Sequence, residues 1–85
     1  MQPYKLFRAL ASETRLKILE KLLKADLCVT NLAELMRKDK STISRHLKVL
    51  SNAKIIEIKK RGKEICFKVR NRKKLKKIIE LARRW

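Results

Sequence analysis

Residues Asp39–Leu50, DKSTISRHLKVL, have both sides of a helix labelled. Ile43, Leu47 and Leu50 recur at i, i+4 and i+7, so they share one face that can be buried. Lys40, Ser41, Ser44, Arg45 and Lys48 lie on the opposite face. They offer positive charge and short hydroxyls, the groups that contact phosphates and base edges in a DNA major groove. Asp39 suits the N-cap, because its carboxylate can accept from the free N–H groups two or three residues on. Any surface helix is amphipathic, so the neighbouring segments decide what this one is for.

Upstream, TNLAELMRKDKST predicts a short helix capped by Thr30 or Asn31, with Leu32, Leu35 and Met36 as its apolar stripe. The basic helix begins about three residues later. Two short helices joined by a tight turn, the second one basic, make a helix-turn-helix over about residues 30–51. Downstream, Ile55–Ile58 is a β-branched run. The segment KKRGK follows it, and then Ile65, Phe67 and Val69 alternate with Glu64, Cys66 and Lys68. Alternation of period two around the only glycine of the chain predicts a β-hairpin over about residues 55–69. On this alternation Cys66 points away from the core.

The remaining segments complete a winged helix-turn-helix. Pro3 opens a first helix over about residues 3–10, with Tyr4, Leu6, Phe7 and Leu10 apolar. Ser12 caps a second, ETRLKILEKLLK, whose core face is Leu16, Leu19, Leu22 and Leu23 with Ile18. Asp26 and Leu27 fall in the connection that follows. Asn71 caps a last helix toward Trp85, with Leu75, Ile78, Ile79, Ala82 and Trp85 as its stripe and Leu81 beside them. The expected order is α-α-α-α-β-β-α, mainly helical with one small hairpin, and 85 residues allow one domain of this kind.

The formal net charge of +17, from 25 basic and 8 acidic residues, is unevenly spread. Residues 1–36 hold six basic and four acidic groups, and residues 37–85 hold nineteen and four. A heat-adapted, lysine-rich composition would normally bring matching glutamates. A polyanionic partner explains the imbalance, and nucleic acid is the commonest one. No apolar run approaches the roughly 20 residues that span a bilayer. Lys5, Arg8 and Glu13 interrupt any signal-peptide core, so a cytoplasmic, nucleoid-associated protein is expected. No acid pair, Ser-His-Asp set, phosphate-cradling loop or Cys-x-x-Cys pair occurs, which argues against an enzyme. His46 edges the buried face of its helix and reads as a packing residue. The first and last helices offer more apolar surface than so small a core can cover, which points to a second copy of the chain. Tyr4, Phe7, Leu75, Ile78, Ile79, Ala82 and Trp85 are the candidate contacts.

FRALASETRLKILEKLL, DLCVTNLAELM and STISRHLKVLSNAKII together resemble an ArsR-type (ArsR/SmtB-like) transcriptional regulator over roughly residues 6–69. The resemblance implies a homodimeric repressor whose terminal helices form the dimer interface. It also implies that Lys40, Ser41, Thr42, Ser44 and Arg45 face the major groove, with Arg61 and Lys63 beside Gly62 reaching a phosphate or the minor groove. Many members sense a metal through a Cys-Val-Cys segment, where this chain has Cys28, Val29 and Thr30. With one thiolate there, and only Glu80 and no His on the last helix, no metal site or cofactor is expected. Cys28 reads as a small apolar filler, and no disulfide is assigned to Cys28 or Cys66. The turn departs too, with Arg37 and Lys38 where glycine and an apolar residue are usual. Arg37 and Lys38 thus join the candidate phosphate contacts. The rival readings are a nucleoid protein of low specificity and a winged helix that binds structured RNA. A membrane-surface protein ranks behind both.

Overall fold

The computed structural model describes residues 2–85. The order is α1 (Pro3–Leu10), α2 (Glu13–Lys24), β1 (Leu27–Cys28), α3 (Val29–Met36), α4 (Lys40–Asn52), β2 (Ile56–Arg61), β3 (Glu64–Val69) and α5 (Arg72–Arg83). Helix starts follow local chemistry. Ser12 Oγ accepts from Arg15 N–H at 3.2 Å, Asp39 Oδ2 from Thr42 N–H at 3.2 Å, and Asn71 Oδ1 from Lys74 N–H at 3.0 Å. Each satisfies one of the free donors of a first turn. Pro3 opens α1, where its missing N–H costs nothing. The cap of α3 corrects the expectation: the helix starts at Val29, and Cys28 is its N-cap. Asn31 contributes from inside the helix, its Oδ1 accepting from Cys28 N–H at 3.1 Å.

The core is the meeting of α2, α3 and α4 over the sheet. Ile18, Leu19 and Leu22 of α2, Leu32 of α3 and Ile43, Leu47 and Leu50 of α4 are buried, with Ile56 of β2. Burial of each such side chain is worth about 1.5–3 kcal/mol. Leu35, expected on the inner stripe of α3, is more than half exposed.

The sheet also departs from a plain hairpin. It has three antiparallel strands in the order β1-β3-β2. The two residues of β1 pair as Leu27↔Phe67 and Cys28↔Cys66, so part of the expected connection is a strand and β3 is central. Leu27 and Cys28 are too few to show any periodicity, and only a partner strand makes them β. The extra strand also reverses the expectation for Cys66. Its side chain is buried and Ile65 is exposed, because β1 and the start of α3 cover β3 at Cys66 but not at Ile65. Cys28 and Cys66 form a disulfide, where none was assigned. Spacing carries no sign of it, because the partners stand 38 residues apart and meet only once β1 pairs with β3. Closing a loop of that length stabilises a fold by roughly 4 kcal/mol in the chain-entropy account.

Two helices end in residues forced left-handed. Arg37 has φ 54° and Lys54 φ 63°. After α3, Arg37 N–H donates to Glu34 O at 3.3 Å and Lys38 N–H to Ala33 O at 3.0 Å. After α4, Lys54 N–H donates to Ser51 O at 3.0 Å and Ile55 N–H to Leu50 O at 3.1 Å. Both are Schellman turns, which favour glycine at the left-handed position. The second has the usual apolar contact, between buried Leu50 and Ile55. The first has Lys38 in that place and lacks it.

Arg15 ties three helices together. Its Nε donates to Ala9 O at 2.6 Å, its Nη2 to Arg8 O at 3.3 Å, and its Nη1 lies 3.3 Å from His46 Nδ1. An arginine can only donate, so Nδ1 is the acceptor and the ring is neutral. Burial, then the charges of Arg15, Lys38 and Arg45, hold the His46 pKa below its ordinary value.

Two predictions follow from these ends and this histidine. Arg37→Gly and Lys54→Gly each raise thermal stability, by about 1 kcal/mol, since glycine takes positive φ without steric cost; calorimetric melts read this directly. A histidine with a depressed pKa binds its proton more readily when unfolded. Stability therefore rises with pH up to the unfolded pKa of about 6.5 and falls as pH drops through that value. His46→Gln removes this part of the slope, and denaturant midpoints between about pH 5 and 7.5 measure it.

Candidate nucleic-acid interface

The outer face of α4 and the wing present one chemistry. Lys40, Ser41, Ser44, Arg45 and Lys48 are all exposed, while Ile43, Leu47 and Leu50 hold the opposite face in the core. Burial of that inner face fixes the rotation of the helix, and so fixes which side chains stand outward. Arg37 and Lys38 are exposed on the turn, and Arg61 and Lys63 flank the wing tip. Gly62, at the tip, has φ 58° with open space around it, so conformation and not crowding calls for glycine there.

Charge pairing separates these cations from seven of the others. The ion pairs of the described residues join Lys17 to Glu13, Lys59 and Arg72 to Asp26, Lys68 and Arg70 to Glu57, Arg83 to Glu20 and Arg84 to Glu80. None involves Arg37, Lys38, Lys40, Arg45, Lys48, Arg61 or Lys63. These seven charges face solvent without a carboxylate among the described residues.

Asp39 stands between Lys38 and Lys40, and three hydrogen bonds reach its carboxylate. The hydroxyls of Ser41 and Thr42 donate to its carboxylate, Thr42 Oγ1 at 2.6 Å. Those bonds, with the Thr42 N–H, hold its pKa far below the usual carboxylate range. The Ser41 and Thr42 hydroxyl protons are therefore used in the cap. Toward a ligand these two oxygens are left as acceptors, and Ser44 remains an uncommitted hydroxyl.

Sequence reasoning missed the clamp that seats the wing. Asp26 Oδ2 accepts from Lys59 Nζ at 2.9 Å and Asp26 Oδ1 from Arg72 Nη2 at 3.1 Å. Arg72 Nη1 also donates to Leu23 O at 2.6 Å. One carboxylate thus joins the end of α2, the wing strand β2 and the start of α5. The Lys59 hydrogen bond, opposed by burial and aided by the charges of Lys59, Arg72 and Arg61, lowers the Asp26 pKa. An acid directly before a β-branched and cysteine-containing segment gave no signal of this, because its partners lie 33 and 46 residues away.

The terminal helices leave apolar groups outside. Tyr4, Phe7, Leu81 and Trp85 are well exposed, Ile78 and Ile79 half-buried, and Ala82 exposed. Leu75 differs from the expectation. It is buried in the protomer's own core, at the foot of a groove it shares with Leu6, Ile55 and Ile78, so it is not on the outer surface.

Cys28, expected to stand without a second thiol or a histidine nearby, has a thiol partner in Cys66 and an acid, Glu64, beside the pair. The sulfurs of Cys28 and Cys66 and a carboxylate oxygen of Glu64 lie within 4.8 Å of one another. Joined as a disulfide, the two sulfurs offer no thiolate to a cation. No helix among the described residues is long and apolar enough to cross a membrane.

The sequence signature of the bacterial regulatory protein arsR family matches residues 12–57, from the cap of α2 into β2. The Staphylococcus aureus homologue of the cadmium resistance transcriptional regulatory protein CadC is 34% identical over 83 residues, 96% of this chain and 68% of that protein. The transcriptional repressor SdpR of Bacillus subtilis is 34% identical over 61 residues, 72% of this chain and 68% of that protein. Among solved structures, HlyU from Vibrio cholerae is 30% identical with a TM-score of 0.83, covering 95% of this chain and 87% of that one. This chain therefore belongs to the arsR family, and is a transcriptional regulator built on a DNA-binding winged helix-turn-helix.

Proposed function

We propose that the protein is a sequence-specific repressor that acts as a homodimer on a pseudo-palindromic operator. The observation that carries this is the row of seven cations without carboxylate partners, on a helix whose opposite face is locked in the core. In this reading Ser44 and Arg45 meet base edges, with the Ser41 and Thr42 oxygens as acceptors. Arg37, Lys38, Lys40, Lys48, Arg61 and Lys63 contact phosphates. A dimer joined through Tyr4, Phe7, Ile78, Ile79, Ala82, Leu81 and Trp85 places two α4 helices in successive major grooves, about 34 Å apart. Repression is then occlusion of a promoter that overlaps the operator. The repressor named among the relatives supports the sign of regulation.

A second reading has one observation in its favour. Lys73, Lys74, Lys76 and Lys77 on α5 also lack carboxylate partners among the described residues, so positive charge is not confined to the reader. That suits a DNA-coating protein of low specificity.

Duplexes from the gene's upstream region and a scrambled control, titrated at several salt concentrations, separate the two. The repressor reading expects a gap of about 10³ or more that persists as salt rises. With about eight phosphates neutralised per dimer, log K falls against log salt with a slope of about −7. Lys40→Ala and Arg37→Gly weaken binding to every sequence, and Arg45→Ala in addition relaxes base preference. Coincident curves for the two duplexes would retire the repressor. Assembly has its own test: Phe7→Glu puts a charge into the shared face. Sedimentation should then show monomers that keep the native circular dichroism but bind a two-half-site duplex much more weakly.

A further inference from the structure

We propose that Cys28 and Cys66 form a reversible modification site for low-molecular-weight disulfides, whose closure fastens the wing to the helix-turn-helix and tightens the grip on DNA. This rests on the DNA-reading role proposed above. Cys28 ends β1 and is the N-cap of α3, the first helix of the helix-turn-helix; Cys66 is in β3, the central strand of the wing sheet. They are direct cross-strand partners in a seam of only two residue pairs, the other being Leu27↔Phe67. The 38-residue separation encloses α3, the turn, α4, β2 and the wing tip. All ten residues proposed to touch DNA lie inside that loop. A covalent bond at this seam constrains the DNA reader as a unit and leaves α1, α2 and α5 outside.

The chemistry balances as two exchanges. Cys28 is the less completely buried of the two residues, at 5% against 0%, and takes the first step. The N-terminal end of α3, which Cys28 caps, favours a negative sulfur there. The Cys28 thiolate attacks one sulfur of a small disulfide such as glutathione disulfide. A mixed disulfide forms and one small thiolate leaves. The Cys66 thiolate then attacks the Cys28 sulfur and expels the second small thiolate. The protein gives up two electrons and two protons, and the small disulfide becomes two thiols. A thiol reverses both steps. Glu64, within reach of both sulfurs, makes a cation the competing occupant of the reduced pair. The strong positive charge of residues 37–85 opposes one.

The full-length protein, equilibrated in glutathione buffers of different poise and trapped by alkylation, gives the fraction oxidised by mass. Binding to the upstream duplex is measured at each poise. The oxidised protein should bind about tenfold tighter, a difference of about 1.4 kcal/mol. By linkage, saturating duplex should lower the fraction reduced at a fixed poise, which a purely structural bond would not show. Cys28→Ser and Cys66→Ala should both bind with the reduced protein's affinity at every poise. Cys28→Ser leaves the fully buried position untouched and serves if Cys66→Ala does not fold. Equal affinities for the two forms, with a fraction reduced that DNA does not move, overturn the proposal. So does protein that keeps one equivalent of zinc after anaerobic purification and loses it on Glu64→Gln, which assigns the three residues to a metal instead. In either case, steep salt-dependent binding to the duplex shows that the DNA-reading role stands. Its absence in both redox forms would show that role to be the failure.

Discussion

Everything outward on this molecule depends on how α4 is held inward. Ile43, Leu47 and Leu50 lie against Ile18, Leu19 and Leu22 of α2, all buried to within a percent of completely. A helix locked by three large side chains at i, i+4 and i+7 cannot roll without opening cavities, and a cavity the size of one leucine costs a few kcal/mol. The direction of Ser44 and Arg45 is therefore set by groups that never meet solvent. Arg15 adds a second lock. By reaching Ala9 and Arg8 carbonyls and the neutral His46 ring, it holds α1 and α2 to the middle of α4. The orientation of the proposed reading face is thus a property of the core and not of the surface charges that would use it.

Those charges work against the fold that displays them. With 25 cations and 8 anions, most lysines and arginines of the chain have no partner to neutralise them. Two of the acids each hold two cations. Asp26 bridges Lys59 and Arg72, so one carboxylate holds the wing and α5 to the end of α2. Glu57 likewise lies between Lys68 and Arg70. Asp39 keeps its charge but is held by the cap bonds of Ser41 and Thr42, and it forms no ion pair among the described residues. Wherever such a distribution meets a polyanion, self-repulsion falls as contacts form, and stability becomes coupled to salt through both the folded chain and its ligand.

Local chemistry was legible in the sequence, and distant pairing was not. Ser12, Asp39 and Asn71 were recognisable as caps because a cap and its N–H are three residues apart. The inner face of α4 was legible because helical period maps spacing to direction. Leu35 shows the limit of that logic. It sits at the right spacing, yet α3 is so short that the core reaches only Leu32 and Ala33 fully. The β1 strand, the disulfide, the Arg15–His46 contact and the Asp26 clamp all join residues 31 or more positions apart. Two-residue β1 carries no period, so the alternation of β3 was assigned a single buried face. Cys66 went to the wrong side because the strand that buries it was invisible.

The left-handed residues Arg37 and Lys54 show where local preference gives way. Each terminates a helix in a turn that glycine would make at lower cost, yet the chain has its only glycine at the wing tip. At Lys54 the turn recovers part of that cost through the buried Leu50–Ile55 contact. At Arg37 nothing apolar follows, since Lys38 occupies the place, and both side chains are exposed. The turn between α3 and α4 is therefore held mainly by its two backbone hydrogen bonds and by the Asp39 cap just beyond it. A strained, charged turn kept in that state by its neighbours is the usual mark of a position where contact with a partner outweighs stability. The wing tip, by contrast, has its glycine, because Arg61 and Lys63 must project from a hairpin that closes in two residues. The two ends of the proposed DNA surface thus reach the same outward display of cations by opposite backbone solutions.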